Sequence, residues 1–319
     1  PSATESGLNK LTKDQIQSKL KAFEKVISEL MTVAENIEKG LEDNIDLEDV
    51  KNYYNNYYSA SMSNLVIVGD VTEAEIMPKL AFLQKLPNKP ISVPQVTVNT
   101  EVDKTKIFLV DVPKAAQTEF RVGYLTNLKY DATGDYYKAG LMNYNLGGAF
   151  NSRLNINLRE DKGWTYGARS GFSGDKHTGE FVFSSGIRAD ATDSALVQVM
   201  NELTNFTQKG ISEEELAFMK SAIGQRDALR YETGFQKAGF ISNILEYDLP
   251  DDFVEQQNRI LNNLTKSQVD AIAQQWLNPD KMNILLVGDK AKILPTLEKM
   301  GYEIIELDAD GKLKQAKGF

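Results

Sequence analysis

The side chains that most often carry catalysis are scarce in this chain. There is one histidine, His177, in the sequence SGDKHTG, where polar and glycine neighbours place it in a turn. No second histidine lies four residues away, so neither a His-Glu-x-x-His helix nor its inverse exists in the sequence. Cysteine is absent, which excludes thiol nucleophiles, Cys-ligated zinc and a disulfide scaffold. Ser184–Gly186 sits inside an alternating strand pattern and forms no nucleophile elbow. LGGAF lacks the Gly-Lys-Ser/Thr of a phosphate-binding loop. Glu213, Glu214 and Glu215 follow a helix N-cap, where negative charge complements the helix dipole. Tyr53, Tyr54, Tyr57 and Tyr58 have the spacing of one broad helix face.

One segment remains, Leu146 to Gly174, reading LGGAFNSRLNINLREDKGWTYGARSGFSG. It combines a Gly-Gly pair at a helix boundary, an arginine near a helix end, a stop at Gly163 and a strand that opens with tyrosine. Arg159 and Tyr166 are seven residues apart. On an unbroken helix they would share a face after two turns. Gly163 interrupts it, so their convergence depends on how the following strand folds back.

The surrounding pattern supplies the elements that must position this segment. Lys106–Val112 and Thr118–Leu125 read as strands, the second alternating Phe120, Val122 and Tyr124 with polar residues. DYYKAGLMNYNLG predicts a helix ending near Gly147, and AFNSRLNINLRED another, with Phe150, Leu154 and Leu158 four apart. TYGARSGFSG and GEFVFSSGIR predict a hairpin around Asp175–Gly179. Thr192 is a candidate N-cap for a helix with Leu196, Val199, Met200, Leu203 and Phe206 on one face. Ser212 with Glu215 and Thr265 with Gln268 have capping-box spacing. NILLVG and YEIIEL read as closing strands. Strands at both ends with long helices between them predict an α+β fold, one mixed, mostly antiparallel sheet flanked by helices.

Two stretches match in register at an offset of 219 residues, Val50–Asp70 and Val269–Asp289. Each reads as a helix, a loop and an apolar strand ending in Gly-Asp. The period is too long for a solenoid and predicts a duplicated domain. On this reading residues 1–86 are the C-terminal part of a truncated first domain, 87–104 a proline-containing linker and 105–319 a complete second domain. The sequence is then expected to be a fragment or processed piece of a longer protein.

Length and composition bound the rest. A chain of 319 residues with 41% hydrophobic residues can bury a sizeable core, and about two domains fit its length. The net charge of −9 argues against nucleic acid as a partner. No stretch approaches the ~20 apolar residues that span a bilayer. The polar start has no signal-peptide core, and the compartment, periplasm or cytoplasm, stays open.

The Leu146–Gly174 segment resembles the signature of the second-type domain in pitrilysin/insulinase-type zinc metallopeptidases. That family shows Leu-Gly-Gly-Gly, Ser-Arg-Leu, Leu-Arg-Glu and Gly-Leu-Ala-Tyr; here the order is LGGA, SRL, LRE and GWTY. KGISEEELAFMKSAI is similar to the family's Gly-Ile-Thr-x-x-Glu-Leu helix start. The resemblance implies a duplicated metallopeptidase-type domain within one half of a clamshell. Zinc would be held by the missing or partner half, with no metal ligand in this chain. By motif position Arg159 and Tyr166 would be the arginine and tyrosine that face the metal and donate hydrogen bonds to the scissile carbonyl. Gly147, Gly148, Phe150 and Asn151 would be the adjoining substrate-binding stretch. The substrate would be a peptide or unfolded protein, bound by added strands, and the partner a zinc-bearing half on the same longer chain or another subunit. The alternative is a non-catalytic scaffold or peptide-binding subunit. Two departures stand out, Trp164-Thr165 in place of Leu-Ala and Ala149 in place of the third glycine.

Overall fold

A computed structural model describes residues 45–93, 95–226 and 231–314. They fall into two compact units, one drawing on the chain up to Leu65 and on Thr72–Pro94, the other on Val66–Val71 and Gln95–Phe319.

The first unit contains helix α1 (Leu47–Tyr57) and a short helix α2 (Glu73–Ile76). Asp46 caps α1 by accepting from the Glu48 and Asp49 N–H groups, and Thr72 caps α2 through a reciprocal bond pair with Glu75. The four tyrosines stack in i,i+4 pairs, Tyr53 on Tyr57 at 4.9 Å and Tyr54 on Tyr58 at 5.0 Å between ring centroids. All four are exposed, and α1 buries no residue, so the amphipathic spacing does not correspond to a buried face here. Pro87–Lys104 carries no helix or strand among its described residues. Its first part is pinned by the buried Ser59, whose Oγ donates to the Lys89 carbonyl at 2.7 Å and accepts from the Lys89 N–H at 2.9 Å.

The second unit is built on a six-stranded mixed sheet. Its strands are β1 (Lys106–Asp111), β2 (Gln117–Thr126), β3 (Ala168–Gly174), β4 (Gly179–Arg188), β5 (Asn283–Gly288) and β6 (Glu303–Leu307). The order is β3-β4-β2-β5-β1-β6. β1 pairs in parallel with β5 and β6, and the remaining pairings are antiparallel. The predicted class, α+β with a mixed, mostly antiparallel sheet flanked by helices, is the one observed.

Helices α3 (Asp135–Asn143), α5 (Thr192–Lys209), α6 (Glu213–Arg226), α7 (Gly234–Tyr247), α8 (Phe253–Asn263), α9 (Lys266–Trp276) and α10 (Lys290–Leu297) accompany the sheet, together with the single α turn α4 (Arg153–Asn155). One sheet face is apolar because alternate strand residues point to it. Ile107, Phe120, Val122, Phe181, Phe183 and Ile284 are wholly buried and share one core with Leu196, Val199, Leu203 and Phe206 of α5 and Ala273 of α9. Burying each phenylalanine removes enough apolar surface to contribute roughly 2–3 kcal/mol. The intervening residues Glu119, Arg121, Glu180 and Arg188 are exposed.

The Ser212–Glu215 and Thr265–Gln268 capping boxes both form. Thr192 does not cap. It is the first helical residue, its N-cap is Ala191, and its buried hydroxyl donates to the Ala189 carbonyl at 3.0 Å and meets Thr118 Oγ1 at 2.8 Å. The strand expected at Leu65–Val68 does not form either, and Leu65 is 59% exposed. Its sequence counterpart β5 lies between β1 and β2, which supply ladder partners on both sides. No described strand does so for Leu65–Val68, and a lone strand has nothing to satisfy its backbone but water.

Candidate functional site

Within Tyr144–Gly167, the Tyr144–Gly148 turn and the turn α4 lie against the edge strand β3. Helix α3 ends by widening into a π-helical turn over Tyr144–Gly148, and the turn α4 does the same over Ile156–Asp161. Such widened turns are rare and recur at functional sites. The glycines explain the first. Gly147 is buried so close to β3 that a Cβ there would come within 2.2 Å of Ser170 Oγ and 2.6 Å of Ser170 N. Gly148 allows a similar approach to Asn143, 3.0 Å from a built Cβ. Asn143 then seals the strand edge: its Nδ2 donates to the Ser170 carbonyl at 2.7 Å and its Oδ1 accepts from Ser170 Oγ at 2.6 Å.

The break between Arg159 and Tyr166 has a defined form. Gly163 adopts the left-handed conformation at φ +64°, where it has no Cβ to clash. Its N–H bonds the Arg159 carbonyl at 3.1 Å, and the Trp164 N–H reaches back six residues to the Leu158 carbonyl at 3.0 Å. Each bond spans one residue more than its counterpart in a Schellman stop, in keeping with the widened π turn before it. Thr165 then makes a side-chain turn around Tyr166. Its Oγ1 accepts from the Gly167 N–H at 3.1 Å and from Ser185 Oγ at 2.9 Å. Tyr166, at the apex, is 91% exposed. Trp164 is partly buried and packs on the main core.

Arg159 sits in the second π turn. Its guanidinium carbon lies 4.2 Å from the centroid of the Phe150 ring, and Nη1 is 3.2 Å from Glu160 Oε1. That ion pair is close in distance but not aligned as a hydrogen bond. Nη1 is buried with no hydrogen-bond partner among the described residues, as are Asn145 Nδ2, Ser152 Oγ and Asn157 Oδ1. Buried polar groups are nearly always satisfied, so this cluster within fifteen residues sets the segment apart from the rest of the fold. Phe150 is 69% exposed, Gly148 and Asn151 are also exposed, and Gly147 is not.

The segment is anchored from behind by Arg153. It makes a two-pronged bond to Glu215, Nε to Oε1 at 2.7 Å and Nη2 to Oε2 at 2.6 Å, and donates to the Gly210 carbonyl at 2.9 Å. Burial alone would raise the Glu215 pKa. The hydrogen bond from Arg153, the Ser212 N–H and the Arg153 charge together outweigh it and hold the carboxyl below its usual range.

Sequence reasoning missed two residues here. Asn155 is buried and bridges two backbone segments, and Asn143 seals the β3 edge. Neither has a motif; a polar residue at a position that helical periodicity makes apolar was the one available signal.

The residues do not fit a zinc ion. Among the described residues no group of three or more His, Cys, Asp or Glu side chains is placed to hold a metal. His177 is exposed in the β3–β4 turn, its N–H donating to Asp175 Oδ1 at 2.7 Å. No helix among them is long and apolar enough to cross a membrane.

The described residues thus form a mixed sheet flanked by helices, a glycine-spaced segment at its edge and an exposed tyrosine, with no metal-binding group among them. A protein-family model described as Peptidase M16 inactive domain matches residues 44–223. The chain belongs to that family. It is 22% identical over 291 residues to the non-peptidase homolog YmxG of Helicobacter pylori, covering 90% of this chain and 65% of that protein. The crystal structure of a peptidase M16 inactive domain from Pseudomonas fluorescens superposes with a TM-score of 0.65 at 28% identity, covering 77% of this chain and 58% of that one. A protease from Helicobacter pylori has the same fold, with a TM-score of 0.65 at 19% identity over 76% of this chain and 59% of that one. The chain thus spans less than two thirds of the length of each.

Proposed function

We propose that this chain is the metal-free half of an M16 peptidase and that Arg159 and Tyr166 complete a peptide-cleaving site whose zinc is held by a partner half. The observation that carries this reading is Tyr166. A tyrosine 91% exposed at the apex of a built turn, seven residues from an arginine whose buried Nη1 makes an ion pair with Glu160 but no hydrogen bond, has no packing role in the core. The zinc of the partner half would supply Lewis-acid activation of carbonyl and water. The part of this chain is hydrogen-bond donation. The Tyr166 hydroxyl and the Arg159 guanidinium donate to the carbonyl oxygen as charge develops on it, or to the neighbouring peptide group. Gly147, Gly148, Phe150 and Asn151 form the stretch beside which substrate lies, the exposed Phe150 and Asn151 offering side-chain contact and Gly147 the close approach of loop to strand. A peptide strand added to β3 would have to lie beyond Ser170, because Asn143 already occupies that part of the edge.

The test is assembly with a zinc-bearing M16 half and cleavage of a quenched-fluorescence peptide. Removing one oxyanion donor by Tyr166→Phe is expected to lower kcat by about 10²–10³-fold, with little change in the melting temperature of a side chain so exposed. Unchanged turnover overturns the catalytic role.

A second reading, a peptide-binding scaffold without catalysis, is favoured by the similarity to a protein described as a non-peptidase homolog. It predicts that Tyr166→Phe leaves both turnover and peptide affinity as they were.

A further inference from the structure

The Arg159–Tyr166 pair is held by side chains that take no part in the motif. Asn155, four residues before Arg159, is 3% exposed and uses both ends of its amide. Nδ2 donates to the Phe150 carbonyl, and Oδ1 accepts from the Ala168 N–H at 2.9 Å. One buried amide therefore joins three pieces of chain: the loop that carries Phe150, the turn that leads into Arg159, and the strand that starts two residues after Tyr166. Phe150 completes the brace. Its ring lies 4.2 Å from the Arg159 guanidinium carbon even though the residue is 69% exposed. A free arginine samples many rotamers, and a guanidinium resting on an aromatic face does not.

We infer that Asn155 and Phe150 are positioning residues, Asn155 fixing the backbone on both sides of the pair and Phe150 fixing the direction of the Arg159 guanidinium. This rests on the function proposed above. Each bond of the brace has a separable consequence. Asn155→Asp keeps an acceptor for the Ala168 N–H and loses the donor to Phe150. Phe150→Leu keeps the backbone brace and removes the ring. Phe150→Trp keeps an aromatic face.

The experiment has two arms on the full chain. In the first, ¹³C,¹⁵N-arginine labelling reports the Arg159 side chain, assigned by its loss in Arg159→Lys. The δ-methylene and Nε–H signals are expected upfield of the exposed-arginine position through the ring current of Phe150. They should return to that position in Phe150→Leu, stay shifted in Phe150→Trp, and move partway back in Asn155→Asp. Signals at the exposed-arginine position in the parent chain, or unmoved by Phe150→Leu, overturn the inference. In the second, the chain is assembled with a zinc-bearing M16 half on a quenched-fluorescence peptide. Phe150→Leu is expected to lower kcat about two- to fivefold, the size of an exposed cation–π contact, apart from the KM rise that follows from losing its substrate contact, and Phe150→Trp to restore kcat. If Tyr166→Phe and Arg159→Lys reduce turnover while Phe150→Leu does not, the positioning role is overturned and the catalytic reading stands. If those two variants leave turnover unchanged, the catalytic reading falls, and the positioning role with it.

Discussion

The bond between Arg153 and Glu215 offers the sharpest test of how the site segment is held. Arg153 opens the turn that leads to Arg159, and Glu215 belongs to the capping box of α6, so the pair ties the site segment to that helix. Their side chains are 25% and 29% exposed, and the geometry is two-pronged at 2.7 and 2.6 Å. Arg153→Met removes three hydrogen bonds from a charged donor, two to Glu215 and one to the Gly210 carbonyl, and bonds to charged groups contribute about 1.5–3 kcal/mol each at most. It also removes the contact of the guanidinium with the Phe206 ring at 4.9 Å, about 0.5 kcal/mol. Breaking a fully buried pair costs about 3–5 kcal/mol. Glu215 stays partly wetted and keeps the Ser212 N–H at 2.7 Å, so the cost should fall below that range, at about 2–3 kcal/mol. For a unit of this size that is a fall in Tm of roughly 4–12 °C. A double-mutant cycle with Glu215→Gln, followed by thermal and urea denaturation, should give a coupling energy above ~1 kcal/mol. The pH dependence follows from the sign of the shift. The Glu215 pKa is lowered in the folded state, so its contribution is present above the unfolded carboxylate range near ~4.3 and is lost as pH falls through the folded value. The stability gap between parent and Glu215→Gln should therefore close below about pH 4. A Tm change under about 2 °C for Arg153→Met, or a gap undiminished at low pH, would refute the reasoning.

Three further outcomes are expected. Gly147→Ala forces a Cβ to within 2.6 Å of the Ser170 backbone nitrogen, which no side-chain rotation relieves, and should destabilise by more than about 2 kcal/mol in urea melts. Ser152→Ala should be neutral or stabilising by up to ~1 kcal/mol rather than showing the usual loss for an N-cap serine, because Ser152 Oγ is buried and makes no cap bond. Tyr124 donates to the Trp276 carbonyl, and burial, opposed by its bond with the Asn278 N–H, pushes its pKa up to about 12. An absorbance titration should show one tyrosine ionising last, and stability should fall as pH rises above the ordinary phenol value of ~10 towards it, a loss absent from Tyr124→Phe.

Much of this architecture could be read from residue spacing, and the exceptions share a cause. The alternation of Phe120 and Val122, the α5 stripe Leu196–Val199–Leu203–Phe206 and the capping boxes are local signals, and each forms as read. Thr192 has the composition of an N-cap, but Thr118 lies across from it on β2 and draws its hydroxyl into a buried pair. The π turns were not legible because widening a turn by one residue leaves the apolar spacing of Leu154 and Leu158 intact. What forces the first is Gly147 meeting β3, a contact between residues far apart in sequence. Asn155 was missed for the same reason: an asparagine in a helical stretch reads as a solvent-facing residue until both its partners are located. Arg159 and Tyr166 were found through the order of short motifs; their surroundings, the Phe150 ring and the Thr165 turn, emerged only from the folded chain.

The polar atoms left without hydrogen bonds between Asn145 and Arg159 fall in one irregular segment. A segment that must carry an arginine inward and a tyrosine outward within eight residues cannot be a regular helix, since a helix would place both on one side. It is broken at Gly163 and widened at Ile156–Asp161. Satisfied cores are what selection for stability alone produces. Here Asn145 Nδ2, Ser152 Oγ, Asn157 Oδ1 and Arg159 Nη1 are buried without a hydrogen-bond partner, whereas the buried Thr118, Ser170 and Ser185 hydroxyls of the strands are all bonded. Each atom so left costs roughly 1–3 kcal/mol unless water or a partner reaches it, so the neutral or stabilising outcome expected for Ser152→Ala tests whether this segment carries that cost.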